Sequence, residues 1–121
     1  NMTTDKQIAM TIIDQMGGVK KVMAFTGAKQ FGALDNGVTF RFKMNPKMNF
    51  CRITLNEMDT YNMEFLKLLP IPKFTMDQDK NNKAWERMEA SNKNIVVKID
   101  GLYNDMIKST FEETTGLYLS F

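Results

Sequence analysis

A chain of 121 residues, 43% apolar and 25% charged, has room for one hydrophobic core; at this size about two thirds of the unfolded surface is buried, which predicts a single domain over residues 2–121. Histidine is absent and Cys51 is the sole cysteine, which excludes histidine general bases, Ser-His-Asp and Cys-His triads, Cys/His zinc sites and an internal disulfide. The net charge of +2 is unevenly spread: residues 1–75 carry ten Lys/Arg against six Asp/Glu, and residues 76–121 six against eight, giving +4 and −2. No apolar run approaches the roughly 18 residues of a transmembrane helix, and the polar opening NMTTDKQ lacks a signal pattern, so a cytoplasmic product with no membrane contact is expected. Asn1 ahead of Met2 reads as an expression-tag remnant.

The first element is a helix. Thr4 and Gln7 stand at capping-box spacing, Ile8, Ile12 and Met16 share a face beside Ala9 and Ile13, and Gly17 and Gly18 stop it. A shorter helix follows, with Val19, Val22 and Met23 grouped and Gly27 as terminator. The stretch FTGAKQFGALDNG, residues 25–37, spaces Gly27 and Gly32 as in the first half of a P-loop. Ala33 and Leu34 occupy the places of the phosphate-binding lysine and magnesium-binding hydroxyl, and the stretch follows a helix instead of a strand, so it reads as a turn.

Strict alternation then begins. In VTFRFKM, Val38, Phe40, Phe42 and Met44 face one way and Thr39, Arg41 and Lys43 the other, with Asp35, Asn36 and Gly37 as turn residues ahead. FCRITL and YNMEFLKLL continue the pattern. Setting apolar sides together pairs Cys51, Ile53 and Leu55 with Met44, Phe42 and Phe40 on one flank and with Phe65, Met63 and Tyr61 on the other, closed by a three-residue loop of Glu57, Met58 and Asp59. In this register Lys43 and Glu64 flank Arg52 on the outer face, and Phe50 lies opposite Leu66 with Leu68 nearby. That apolar end demands a cover, either the helical NNKAWERMEAS, whose Trp85, Met88 and Glu89 share a side, or another protein chain.

Pro70 and Pro72 end the third strand, and residues 75–83 read as a mobile loop. DQDKNNKAWERM opens like a calcium loop but has Asn82 and Met88 where glycine and the bidentate glutamate belong, so capping by Asp79 or Asn81 is the expectation. NIVVKI is a fourth strand with Ile95, Val97 and Ile99 together. The last helix is capped by Asp100, carries Tyr103, Met106, Ile107 and Phe111 as its stripe, and ends at Gly116 with Leu117 closing the motif; the apolar tail LYLSF packs back on the core. The fold class is α+β: an antiparallel meander of three to four strands with N- and C-terminal helices packed on one face.

Cys51 sits in an alternating stretch and reads as a core residue, as do most of the eleven methionines. Asp100, Asp105, Glu112 and Glu113 show no convergence, so no catalytic residue, cofactor or metal is assigned. Two binding surfaces are candidates. Phe50, Leu66 and Leu68 would meet a protein partner; Arg41, Lys43, Lys47 and Arg52, with Phe50 beside them, combine cations for phosphate with an aromatic for stacking, the recipe of nucleic-acid-binding sheets.

Three segments, MAFTGAKQF, RITLNEMDTYNMEF and VKIDGLYNDMIKSTFEETTGLYLSF, together resemble a widespread family of small proteins encoded by bacteriophages, prophages and other mobile elements. The family pattern is Met-x-x-Thr-Gly-Ala-Lys-x-Phe, a strand pair around Leu-Asn-x-x-Asp, and a C-terminal helix closing on Thr-Gly-Leu. It is matched by Met23, residues 26–29, Phe31, Leu55, Asn56, Asp59, Tyr103, Phe111 and residues 115–117. Residues 70–93 stand as an insertion, and the 56–59 turn lacks the family's glycine. The resemblance implies a mobile-element gene and carries no activity, cofactor or catalytic residue. The expectation is therefore a non-enzymatic binding or accessory protein acting on a protein partner, with nucleic-acid binding as the alternative.

Overall fold

Five strands, β1 (Lys29–Leu34), β2 (Gly37–Arg41), β3 (Phe50–Leu55), β4 (Tyr61–Leu66) and β5 (Ile95–Leu102), pair antiparallel in chain order as one open sheet. The computed structural model describes residues 2–120, so Asn1 and Phe121 lie outside the described residues. Four helices complete the α+β fold: α1 (Met2–Gln15), α2 (Val19–Thr26), α3 (Gln78–Lys93) and α4 (Ile107–Thr115), the last entered through a 3₁₀ turn at Asn104–Met106. Among the described residues, no helix is long and apolar enough to cross a membrane.

One face of the sheet is the core. Val38, Phe40, Cys51, Ile53, Met63 and Phe65 are buried there against Ile12, Ile13 and Met16 after the α1 stripe and against Ile107 and Phe111 of α4. Phe111 is the hub: its ring centroid lies 5.9 Å from Phe40, 5.4 Å from Phe42 and 6.0 Å from Phe65. The terminal segment packs back as its composition predicts, with Leu119 fully buried and its N–H donated to Glu112 Oε2 at 2.8 Å. Gly27 and Gly116 end α2 and α4 in the left-handed region, at φ 66° and 74°.

The β3–β4 register is the one the apolar pattern demands: Cys51 opposes Phe65, Ile53 opposes Met63, and Arg52 meets Glu64 in an ion pair of 3.0 Å. The three-residue loop also forms, closed by Asn56 N–H to the Thr60 carbonyl at 2.8 Å, with Asp59 in the left-handed region at φ 58°.

The β2–β3 register differs from expectation by four residues. Cys51 opposes Phe40 and Ile53 opposes Val38, so Thr39, not Lys43, is the neighbour of Arg52. An even slip leaves every side chain on its own face, and so the hydrophobic pattern does not discriminate against it. The connection decides instead. Phe42 N–H bonds the Asn49 carbonyl at 3.0 Å, Lys43 N–H bonds the Thr26 carbonyl at 2.9 Å, and Met44 turns out with φ 74° and 78% exposure. Asn45 anchors this loop to α4 by donating to the Thr115 carbonyl at 2.8 Å.

Other boundaries move for local reasons. Residues 29–34, read as turn, form edge strand β1, in which Gly32 and a bulge blur the alternation. Thr4 lies within the first turn of α1 and not ahead of it, and Met23 faces solvent while Val22 and Thr26 are buried. Residues 78–83 belong to α3, capped by Asp77, whose carboxylate accepts from Asp79 N–H at 2.9 Å and Lys80 N–H at 3.2 Å; this replaces both the mobile loop and the cap at Asp79 or Asn81. Asp100 continues β5 instead of capping a helix, and Tyr103 and Met106 are exposed.

α3 does cover the outer face at one end, but with a different stripe. Ala84 and Ser91 are buried and Met88 is half-buried, and Ser91 Oγ accepts from Leu69 N–H at 2.9 Å. Trp85 is largely exposed and pairs with Phe74.

Candidate anion-binding pocket

In an antiparallel meander the end of one strand lies beside the start of the next. The start of β1, the end of β2, the approach to β3 and the exit of β4 therefore meet at one end of the sheet, where Lys29 opposes Arg41, Arg41 opposes Phe50, and Phe50 opposes Leu66. A cavity of about 360 Å³ opens at this place, lined by Lys29, Arg41, Lys43 and Lys67 with Asn45 and Asn49. Among the described residues, no carboxylate lines it.

The walls are fixed. Asn45 Oδ1 accepts from Lys47 N–H and Met48 N–H at 2.8 and 3.2 Å, while Asn49 exchanges hydrogen bonds with the Leu68 backbone at 2.7 and 3.2 Å. Lys67 Nζ reaches the Pro46 carbonyl at 3.2 Å. The Lys43 stem lies against Gly27, where an added Cβ would stand 3.3 Å from Lys43 Cδ, so glycine both ends α2 and lets the lysine approach.

Electrostatically the arrangement costs stability. Like charges directly opposite on a ladder repel, by some tenths of a kcal/mol at a pair such as exposed Lys29 and half-buried Arg41. The α2 C-terminus beside Gly27 offsets part of this with its partial negative charge. A bound anion would offset the rest, with the Arg41 guanidinium offering a planar fork and the three ammonium groups point charges.

The structure thus regroups the candidates read from sequence. Arg41 and Lys43 share the pocket. Arg52 does not: it is held by Glu64 on the sheet face. Lys47 is exposed on the 42–49 loop and does not line the pocket. Lys29 and Lys67 lie outside those candidates, because β1 carries no clear alternation and Lys67 stands one residue past β4, so no periodic signal joins them to Arg41 and Lys43. The apolar trio is not an open patch either. Leu66 is fully buried, and Phe50 and Leu68 are half-buried at the end of the sheet that α3 covers.

Cys51 is fully buried in the core, and loss of hydration pushes its thiol pKa far up, against a smaller opposing pull from Arg52; it is a packing residue and no nucleophile. Glu112 is spent on the Leu119 N–H. Compared with protein-family models, curated proteins and solved structures, the chain matches none.

Proposed function

We propose that the protein is a non-enzymatic accessory protein of a mobile genetic element, acting in the cytoplasm by binding nucleic acid through phosphate groups seated in the pocket of Lys29, Arg41, Lys43 and Lys67. The observation that carries this reading is the convergence of four cations from three strand ends and a loop around one cavity with no carboxylate, including a like-charge pair that weakens the fold. The mobile-element origin rests on the sequence resemblance. Burial of Leu66 counts against a protein partner at Phe50, Leu66 and Leu68.

Fluorescence anisotropy of labelled single- and double-stranded oligonucleotides, titrated at several salt concentrations, tests it. Four cations set an upper bound of about −3 on the slope of log affinity against log salt for single strands. Arg41→Glu with Lys43→Glu is expected to abolish binding, whereas Lys20→Glu on exposed α2 leaves it unchanged. Lys29→Gln should weaken binding yet raise Tm by a degree or more, a gain that vanishes at about 1 M salt where screening is complete. Absence of binding at low salt, or equal loss in the Lys20 variant, would refute the proposal.

A further inference from the structure

The cationic pocket does not end at Arg41. Arg41 also lines a second cavity of about 250 Å³, bounded by Leu68, Pro70 and Ile71 of the 67–77 segment and by Met88 and Asn92 of α3. Trp85 precedes Met88 by three residues and Asn92 by seven, so it lies on the same stripe of the helix, about 10 Å along the axis from Asn92. There it packs on Phe74 with ring centroids 5.1 Å apart and planes inclined by 58°. Both rings remain in solvent, Trp85 at 57% and Phe74 at 50% exposure.

This aromatic pair is not needed by the core, which is filled by other residues, and the segment presenting it is firmly tied down. Arg87 donates to the Pro70 carbonyl at 3.1 Å, and Asn81 and the Thr75 backbone exchange two bonds of 2.8 Å each. A tryptophan, which costs little entropy to immobilise and has a broad apolar face, is held in water on the helix that walls the second Arg41 cavity.

We infer that the ligand is single-stranded nucleic acid, its phosphates in the pocket of Lys29, Arg41, Lys43 and Lys67 and an unpaired base a few nucleotides away stacked on Trp85 and Phe74. This rests on the proposed function and narrows it. A duplex keeps its base faces covered by neighbouring pairs and offers this surface only phosphate, whereas a single strand offers both the charge and the free π-face. The charge complementarity of the adjoining pocket selects this occupant over a protein segment.

Trp85 is the sole tryptophan, so its emission reports the contact directly. Titration of the purified chain with a single-stranded oligothymidylate of about 12 nucleotides should quench that emission, and a matched duplex should not. Trp85→Ala should weaken single-strand affinity about tenfold by anisotropy, with the salt slope unchanged because the phosphate contacts remain, and Trp85→Phe should recover part of the loss. The exposed position lets both variants fold, which far-UV circular dichroism checks. Salt-dependent binding without quenching, and with Trp85→Ala equal to wild type, would overturn this inference and leave the phosphate pocket standing. Tighter binding to duplex than to single strands would overturn it as well. No binding to either form would remove both, leaving the aromatic pair to a protein partner.

Discussion

Replacing Phe111 by alanine removes the ring on which the two layers meet. The side chain is fully buried and packs against three other phenylalanines, at 5.4 to 6.0 Å between centroids. Large-to-small substitution of a buried phenylalanine costs about 3–5 kcal/mol, and the lost aromatic contacts place this site at the upper end, about 4–5 kcal/mol. A domain of this length has a total stability of roughly 6–18 kcal/mol, so the variant folds but has lost a quarter or more of its margin. With a urea m-value of about 2 kcal/mol/M, the unfolding midpoint followed by far-UV circular dichroism should drop by about 2 M at unchanged m. Phe74→Ala is the matched control. Its ring is half in solvent, so the midpoint should move by less than about 0.3 M. A drop below about 0.5 M for Phe111→Ala, or equal shifts for the two variants, would refute the placement of the hub.

Two further outcomes follow from the core and the ladder. Cys51 should resist a thiol-specific reagent in the native protein and react only on unfolding. Because the folded state keeps its proton at a raised pKa, stability is full below the ordinary thiol pKa of 9.0 and falls above it by about 1.4 kcal/mol per pH unit, a slope that Cys51→Ala should remove in denaturation series at pH 8 to 10. Gly37→Ala should cost more than about 2 kcal/mol, since its Cβ would fall on the Ile53 carbonyl oxygen; a midpoint within 0.5 M of wild type would contradict the close approach of β2 and β3.

The sequence showed most clearly the elements whose burial is one-sided. Ala9, Ile12 and Ile13 mark α1, and Phe40, Ile53, Met63 and Phe65 mark the inner sheet face, because helical or alternate spacing of apolar residues has few other uses. β1 was hidden for the opposite reason: an edge strand with a bulge, a glycine and exposed Lys29 and Gln30 lacks alternation to read. Trp85 has the size of a packing residue but stays largely in solvent, because the small Ala84 and Ser91 are the residues that α3 buries.

The glycine stops of α2 and α4, the inward residues of β2, β3 and β4 and the β3–β4 pairing were determined by sequence alone, the last because a short turn leaves one register that keeps apolar sides together. The tertiary structure alone decided the β2–β3 register, through hydrogen bonds from the 42–49 loop to α2 and α4 that parity does not encode. It also decided the pocket. Lys29 and Lys67 stand 38 residues apart with Arg41 and Lys43 between them, and the four become neighbours because antiparallel strands return their ends to the same place.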